Sequence, residues 1–149
     1  MVEIRKARLS DLESIVALQI RMAQETEGLE LDRDVVGRGV RGVFEQPARG
    51  TYWVADEEGQ ILGVFLAVPE WSDWRNATVL WIHSLYVVGE VRGQKIFKKL
   101  YLNLKRQVEE SKELAGLRLY VDKRNKSAHE VYEKLGMSKE HYELFEWLK

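Results

Sequence analysis

The segment Val87-Val88-Gly89-Glu90-Val91-Arg92-Gly93-Gln94-Lys95-Ile96-Phe97 joins a strand-like run to a helix-like run. A strand-to-helix turn leaves several backbone N–H groups without partners, and the helix dipole is positive at that end. Such a turn suits a phosphate group, and Arg92 and Lys95 add two positive side chains. The same residues also suit an ordinary connection with solvated basic side chains. The turn alone does not separate the two.

Two further segments carry chemistry-bearing types. Asn125-Lys126-Ser127-Ala128-His129-Glu130-Val131-Tyr132-Glu133-Lys134-Leu135-Gly136-Met137 opens on a capping residue, either Asn125 or Ser127, and ends at Gly136. Tyr132 lies two turns in, and by itself this reads as a capped helix with a core tyrosine. Glu70-Trp71-Ser72-Asp73-Trp74-Arg75 places two tryptophans among mixed charges in a connection. Trp71 and Trp74 can wall an acceptor site for an aliphatic or cationic amine, form an interface patch, or fold back onto the core.

These residues need elements to hold them. Val2 to Ala7 alternates as a short strand. Ser10 with Glu13 has the pattern of a capping box ahead of the helical face Leu12, Ile15, Val16, Leu18 and Met22. Asp32 is a second N-cap, before Val36, Val40, Val43 and Phe44. Thr51 to Ala55 and Ile61 to Val68 read as strands around the hairpin loop Asp56-Glu57-Glu58-Gly59. Thr78 to Val88 is a long β-rich run. A helix follows through Phe97, Leu100, Tyr101, Leu104 and Val108, then a strand at Leu117, Leu119 and Val121. The helix with Ala128, Val131, Tyr132 and Leu135 comes next, and His141 to Leu148 reads as a last strand. The second to fourth strands suit an antiparallel meander. The fourth strand, its helix and the fifth strand suit a parallel crossover. A mixed sheet with helices on both faces is expected.

Composition narrows the functions. The 149 residues hold 23 Lys and Arg against 24 Asp and Glu, a formal charge of −1, with 45% apolar residues and no Cys. One domain over residues 1–149 is expected, with no Pro/Gly/Ser-rich linker. The balance argues against a nucleic-acid binder. No apolar run approaches the roughly 18 residues of a membrane span. Without Cys there is no disulfide, thiolate metal site or thiol nucleophile, and His129 and His141 lack metal-ligand spacing, so no metal is expected. The start lacks a secretory signal's apolar stretch, so a cytoplasmic protein is the expectation. The near-zero sum hides a segregation. Arg92, Lys95, Lys98, Lys99, Lys105 and Arg106 fall between Glu90 and Glu109 with no acid among them, as a local anion site would require.

Together the two signature segments resemble the GNAT superfamily of N-acetyltransferases. That family's C-terminal signature, Asn-x-x-Ala-x-x-x-Tyr-x-x-x-Gly-Phe, is met at Asn125, Ala128, Tyr132 and Gly136, with Met137 for Phe. Its turn signature, Arg/Gln-x-x-Gly-x-Gly/Ala, opens at Arg92 and Gly93 in the common Arg-Gly form. Lys95 then stands at the first signature glycine and Phe97 at the second. The resemblance implies an α/β (α+β) fold, a mostly antiparallel mixed sheet of about six to seven strands with four helices. It implies direct transfer of acetyl from acetyl-coenzyme A to an amine, with a small-molecule amine favoured over a protein amine. Leu85, Tyr86 and Val87 would pair with the pantetheine arm. Arg92, Gly93, Gln94, Lys95, Ile96 and Phe97 would hold the pyrophosphate, and Asn125 would contact the arm. Tyr132 would protonate the departing thiolate, a phenol of pKa about 10 serving a thiol of about 8.5. A non-catalytic acyl-coenzyme A sensor and a homodimeric interaction protein using the Trp71/Trp74 surface are the alternatives.

The amine has to lose a proton before it attacks. At pH 7 an alkylamine of pKa near 10.4 is neutral in roughly one part in 2,500, a cost of about 4.6 kcal/mol. His83, at the parity of Trp81, Leu85 and Val87, is a candidate base as well as a candidate structural His. Glu27, Glu30 and Glu70 are other candidate bases. Glu30, with Trp71 and Trp74, is a candidate acceptor contact.

Overall fold

The computed structural model describes residues 1–149. By internal contact the chain divides into two units, Met1–Leu119 and Tyr120–Lys149.

The first unit is built on five strands: β1 (Glu3–Lys6), β2 (Thr51–Glu57), β3 (Gln60–Ser72), β4 (Ala77–Val87) and β5 (Leu114–Leu119). They lie in sequence order. β1 to β4 pair antiparallel, and β5 joins β4 in parallel, as the meander and crossover require. The β2–β3 turn is tight because Glu58 and Gly59 both take positive φ, 52° and 90°, and the Asp56 carboxylate accepts from the Gly59 amide.

Helices α1 (Leu12–Glu27) and α2 (Arg33–Glu45) cover one face, and α3 (Ile96–Glu110) the other. α3 approaches so closely that a Cβ on Gly63 would sit 3.2 Å from a Leu100 methyl and 3.3 Å from an Ile96 methyl. Phe65, Ile15, Ile96, Leu100, Leu104 and Val16 fill the core. α2 forms as expected from Asp32, whose carboxylate caps the amides of Asp34 and Val35. The expected Ser10 cap is corrected. Leu9–Asp11 is a short 3-10 turn, and Asp11 is the residue that precedes α1. Its carboxylate reaches back to the Arg8 amide at 2.7 Å, which a serine one position earlier does not do.

The second unit holds α4 (Lys126–Lys134) and the residues beyond it. Asn125 caps α4 by accepting from the Ala128 amide, and Gly136 ends it at φ 88°. The expected strand at His141–Leu148 does not form, so the sheet has five strands, not six or seven. Tyr142, Phe145 and Trp147 are exposed. Alternating apolar residues make a strand only where a ladder partner receives their amides, and the segment joins none.

Candidate acetyl-donor and acceptor site

β4 changes character along its length. Its parallel ladder with β5 ends at Ile82, opposite Leu119. On the β3 side, Leu66 pairs with His83 and Val64 with Tyr86, so β4 spends one residue more than β3. The extra residue is accommodated at Ser84, which takes φ 54° in the left-handed region. From Ser84 to Val87 the strand runs on beyond the β5 ladder, so that edge has no strand partner there and can take an extended ligand.

The bulge also corrects a point of parity. Directly paired residues point to one face, so His83 and Tyr86 share the side of Leu66 and Val64, and Leu85 and Val87 take the opposite side. The even alternation that grouped His83 with Leu85 and Val87 ignores the inserted residue. α1 covers the His83/Tyr86 face, and Gln19 donates to the Ser84 carbonyl at 3.5 Å. His83 is half-buried, and desolvation lowers its pKa, which keeps the imidazole neutral near pH 7.

The turn after β4 is a short 3-10 segment, Gly89–Val91, then Arg92 to Lys95. Gly93 has φ 99° and Lys95 φ 62° with ψ 21°. Lys95 therefore keeps the left-handed backbone that glycine adopts without cost. No backbone carbonyl takes the amides of Gly93, Lys95, Ile96 or Lys98. Ile96 and Lys98 lie in the first turn of α3 and Lys95 caps it, at the positive end of its dipole, and Lys95, Lys98 and Lys99 are exposed. These residues fit a pyrophosphate. Ile96 is buried, and Phe97 stacks on Tyr101 at 6.4 Å, so both anchor the helix beneath the turn.

Replacing Lys95 by glycine tests this backbone. A left-handed residue with a Cβ costs about 1–2 kcal/mol, of which glycine's extra chain entropy returns part. Lys95→Gly is expected to gain roughly 0.5–1 kcal/mol in denaturant unfolding. A loss of stability would mean that the Lys95 side chain carries a contact outweighing the strain.

The remaining candidates are distributed. Ile20, Arg21, Gln24, Glu25, Glu30 and Leu31 line an open groove of about 630 Å³ beside the last turns of α1, so Glu30 stands with Glu25. Trp71 and Trp74 do not fold back. They are 64% and 90% exposed at the β3–β4 hairpin, the opposite end of β4 from the turn. Glu70 there pairs with Arg118 at 2.9 Å. In the second unit, Asn125 Oδ1 takes the Ala128 amide and the Ser127 hydroxyl, both at 3.1 Å, and Tyr132 is half-buried on α4. Three or more His, Cys, Asp or Glu side chains never converge as a metal site would require.

Glu25 lies outside both signature segments. Its carboxylate accepts from the Tyr86 hydroxyl and from Arg92, both at 2.7 Å. A signal was present: Leu18, Met22 and Glu25 form one i, i+4, i+7 stripe, so the inward face of α1 ends in a carboxylate.

A family model for the acetyltransferase (GNAT) family matches residues 12–137. No curated protein matches the sequence. Among solved structures, a possible acetyltransferase from Clostridium difficile 630 is 38% identical with a TM-score of 0.94, covering 100% of this chain and 98% of its own. A predicted acetyltransferase with acetyl-CoA from Clostridium acetobutylicum is 21% identical with a TM-score of 0.75, over 100% and 95% of the two chains. A ribosomal-protein-alanine N-acetyltransferase from Brucella melitensis biovar Abortus 2308 is 17% identical with a TM-score of 0.81, over 100% of each. The last two likenesses concern the fold. The family match covers most of the chain and the 38% identity extends along all of it, so this protein belongs to the GNAT family and is an acetyltransferase.

Proposed function

We propose that the protein is a single acetyltransferase domain that moves acetyl from acetyl-coenzyme A directly to the amine of a small molecule in the cytoplasm. The observation that carries the reading is the end of β4. The strand leaves its β5 ladder, bulges at Ser84 and enters a turn with positive φ at Gly93 and Lys95. Edge groups for an amide-bearing arm therefore lead straight to amides for a pyrophosphate. Acetyl-coenzyme A supplies the activated thioester. Leu85, Tyr86 and Val87 orient its arm through their backbone, with Asn125 as a further contact. Gly93 to Phe97 hold the phosphates. The absence of Cys suits one-step transfer, because no thiol is needed to carry the acyl group. His83, neutral by desolvation, accepts the proton of the attacking amine, and Tyr132 donates one to the leaving sulfur. With Glu25 committed to Arg92 and Tyr86, Glu30 is the acidic group that the groove beside α1 offers to an amine acceptor. No helix is long and apolar enough to cross a membrane.

Incubation with acetyl-coenzyme A and a panel of amines, with free thiol followed, tests the reading. Thiol release that depends on a small amine is the expected result. Binding of coenzyme A without release on any small amine, or release only with protein amines, would overturn the acceptor class.

A further inference from the structure

The Arg92 guanidinium is directed at α1. Its Nη2 donates to Glu25 Oε2 at 2.7 Å, and its Nε donates to the Val87 carbonyl at 3.0 Å. The other Glu25 oxygen accepts from the Tyr86 hydroxyl at 2.7 Å. Arg92 also lies 5.4 Å from the Tyr86 ring centroid, with Arg21 at 6.0 Å from the same ring. Arg21 in turn pairs with Glu90 at 3.2 Å. One carboxylate in the last turns of α1 thus gathers the end of β4 and the residue that opens the turn.

Electrostatics agree with this geometry. Arg92, then Tyr86, hold the Glu25 carboxyl below its ordinary range. Burial and the bond to Glu25 push the Tyr86 phenol up, so it stays a donor. An exposed ion pair adds little to global stability. This one spans three segments, however, and fixes the direction in which the turn leaves the strand. Two of the guanidinium nitrogens are already engaged, with α1 and with the last carbonyl of β4.

We propose that Glu25 is a positioning residue for the phosphate-binding turn. Arg92 is its strut, not a phosphate ligand. Glu25 holds Arg92 and Tyr86 so that the amides of Gly93, Lys95, Ile96 and Lys98 present one face to the anion. This rests on the reading of the turn as the phosphate site of coenzyme A.

The two roles for Arg92 differ in the sign of one measurement. Coenzyme A affinity is measured by calorimetry for the wild type, Glu25→Gln, Arg92→Met, the double variant and Tyr86→Phe. With a strut, Glu25→Gln weakens binding about tenfold, as loss of a charge-assisted bond would. Arg92→Met weakens it similarly, and the double variant is no worse than either single. The loss falls on KM for acetyl-coenzyme A more than on kcat. Tyr86→Phe removes one of the two bonds to Glu25, so it gives a smaller loss of the same sign and serves if Glu25→Gln folds poorly. With a phosphate ligand, Glu25→Gln would release the guanidinium and leave affinity unchanged or tighter, with Arg92→Met weaker alone. That pattern overturns the proposal. Failure of the wild type to bind coenzyme A would overturn the phosphate-site reading beneath it as well.

Discussion

Tyr132→Phe is expected to lower kcat by about 10²–10³-fold while coenzyme A affinity stays within about twofold. The phenyl ring retains the packing of a half-buried side chain on α4, and the Asn125 cap is untouched. The phenolic proton is the group the reaction loses. A phenol of pKa about 10 protonates a thiolate of about 8.5 as the carbon–sulfur bond breaks, and without it the thiolate has to leave unprotonated or find water. The pH profile separates this role from that of His83. A cationic amine alone gives log kcat/KM a slope of about one up to its own pKa near 10.4. If the base is His83, whose pKa is lowered from 6.5 by burial, protonation below that lowered value steepens the slope to about two. Tyr132→Phe keeps the steepening, and His83→Asn removes it. Unchanged kcat in Tyr132→Phe would exclude the acid role, and an unchanged slope in His83→Asn would exclude the base.

What was legible in the sequence follows the range of the interactions. The helices of Leu12–Glu27, Ile96–Glu110 and Lys126–Lys134 are written in local periodicity, and the last also in its Asn125 cap. The Asp56–Gly59 hairpin is written in turn residues whose positive φ is a property of neighbours in the chain. His141–Leu148 has the right residue types, yet a strand exists only through its partner, and composition does not say whether one is supplied. The Ser84 bulge is hidden for the same reason. Nothing local marks the residue at which β4 outruns β3, and the face of His83 depends on it.

The site divides along the same line. The strand-to-helix turn and the Asn125/Tyr132 helix are contiguous segments, so their spacing could be read directly. Glu25 binds partners 61 and 67 positions away, and that distance is closed by the fold alone. Lys95 is an instructive middle case. Its residue type departs from the family glycine, but its backbone does not, because the turn imposes a left-handed conformation at a cost of only about 1–2 kcal/mol.

Arg5→Met is expected to remove about 3–5 kcal/mol of stability. Arg5 on β1 donates to both oxygens of Asp11, at 2.8 and 3.0 Å, and to Asp56 Oδ2 through Nε and Nη2, at 3.0 and 2.8 Å. The Arg5, Asp11 and Asp56 side chains are 12%, 10% and 15% exposed. Methionine roughly fills the space of the stem but leaves two carboxylates facing each other, largely out of water. The loss reaches past the pair, because Asp11 precedes α1 and Asp56 opens the β2–β3 turn. Arg5 therefore ties the start of the helix that carries Glu25 to the sheet. Acid should narrow the gap between wild type and variant. Arg5 holds the Asp11 carboxyl below its ordinary range, so this contribution is present above the unfolded value near 3.9 and is lost as pH falls through the lower folded value. In the variant the two acids repel, so protonation relieves it while it penalises the wild type. Urea unfolding at pH 7 and at pH 3 measures both effects. A loss below about 1 kcal/mol at pH 7 would place this triad with ordinary exposed ion pairs, and a gap that widened in acid would reverse the assigned sign.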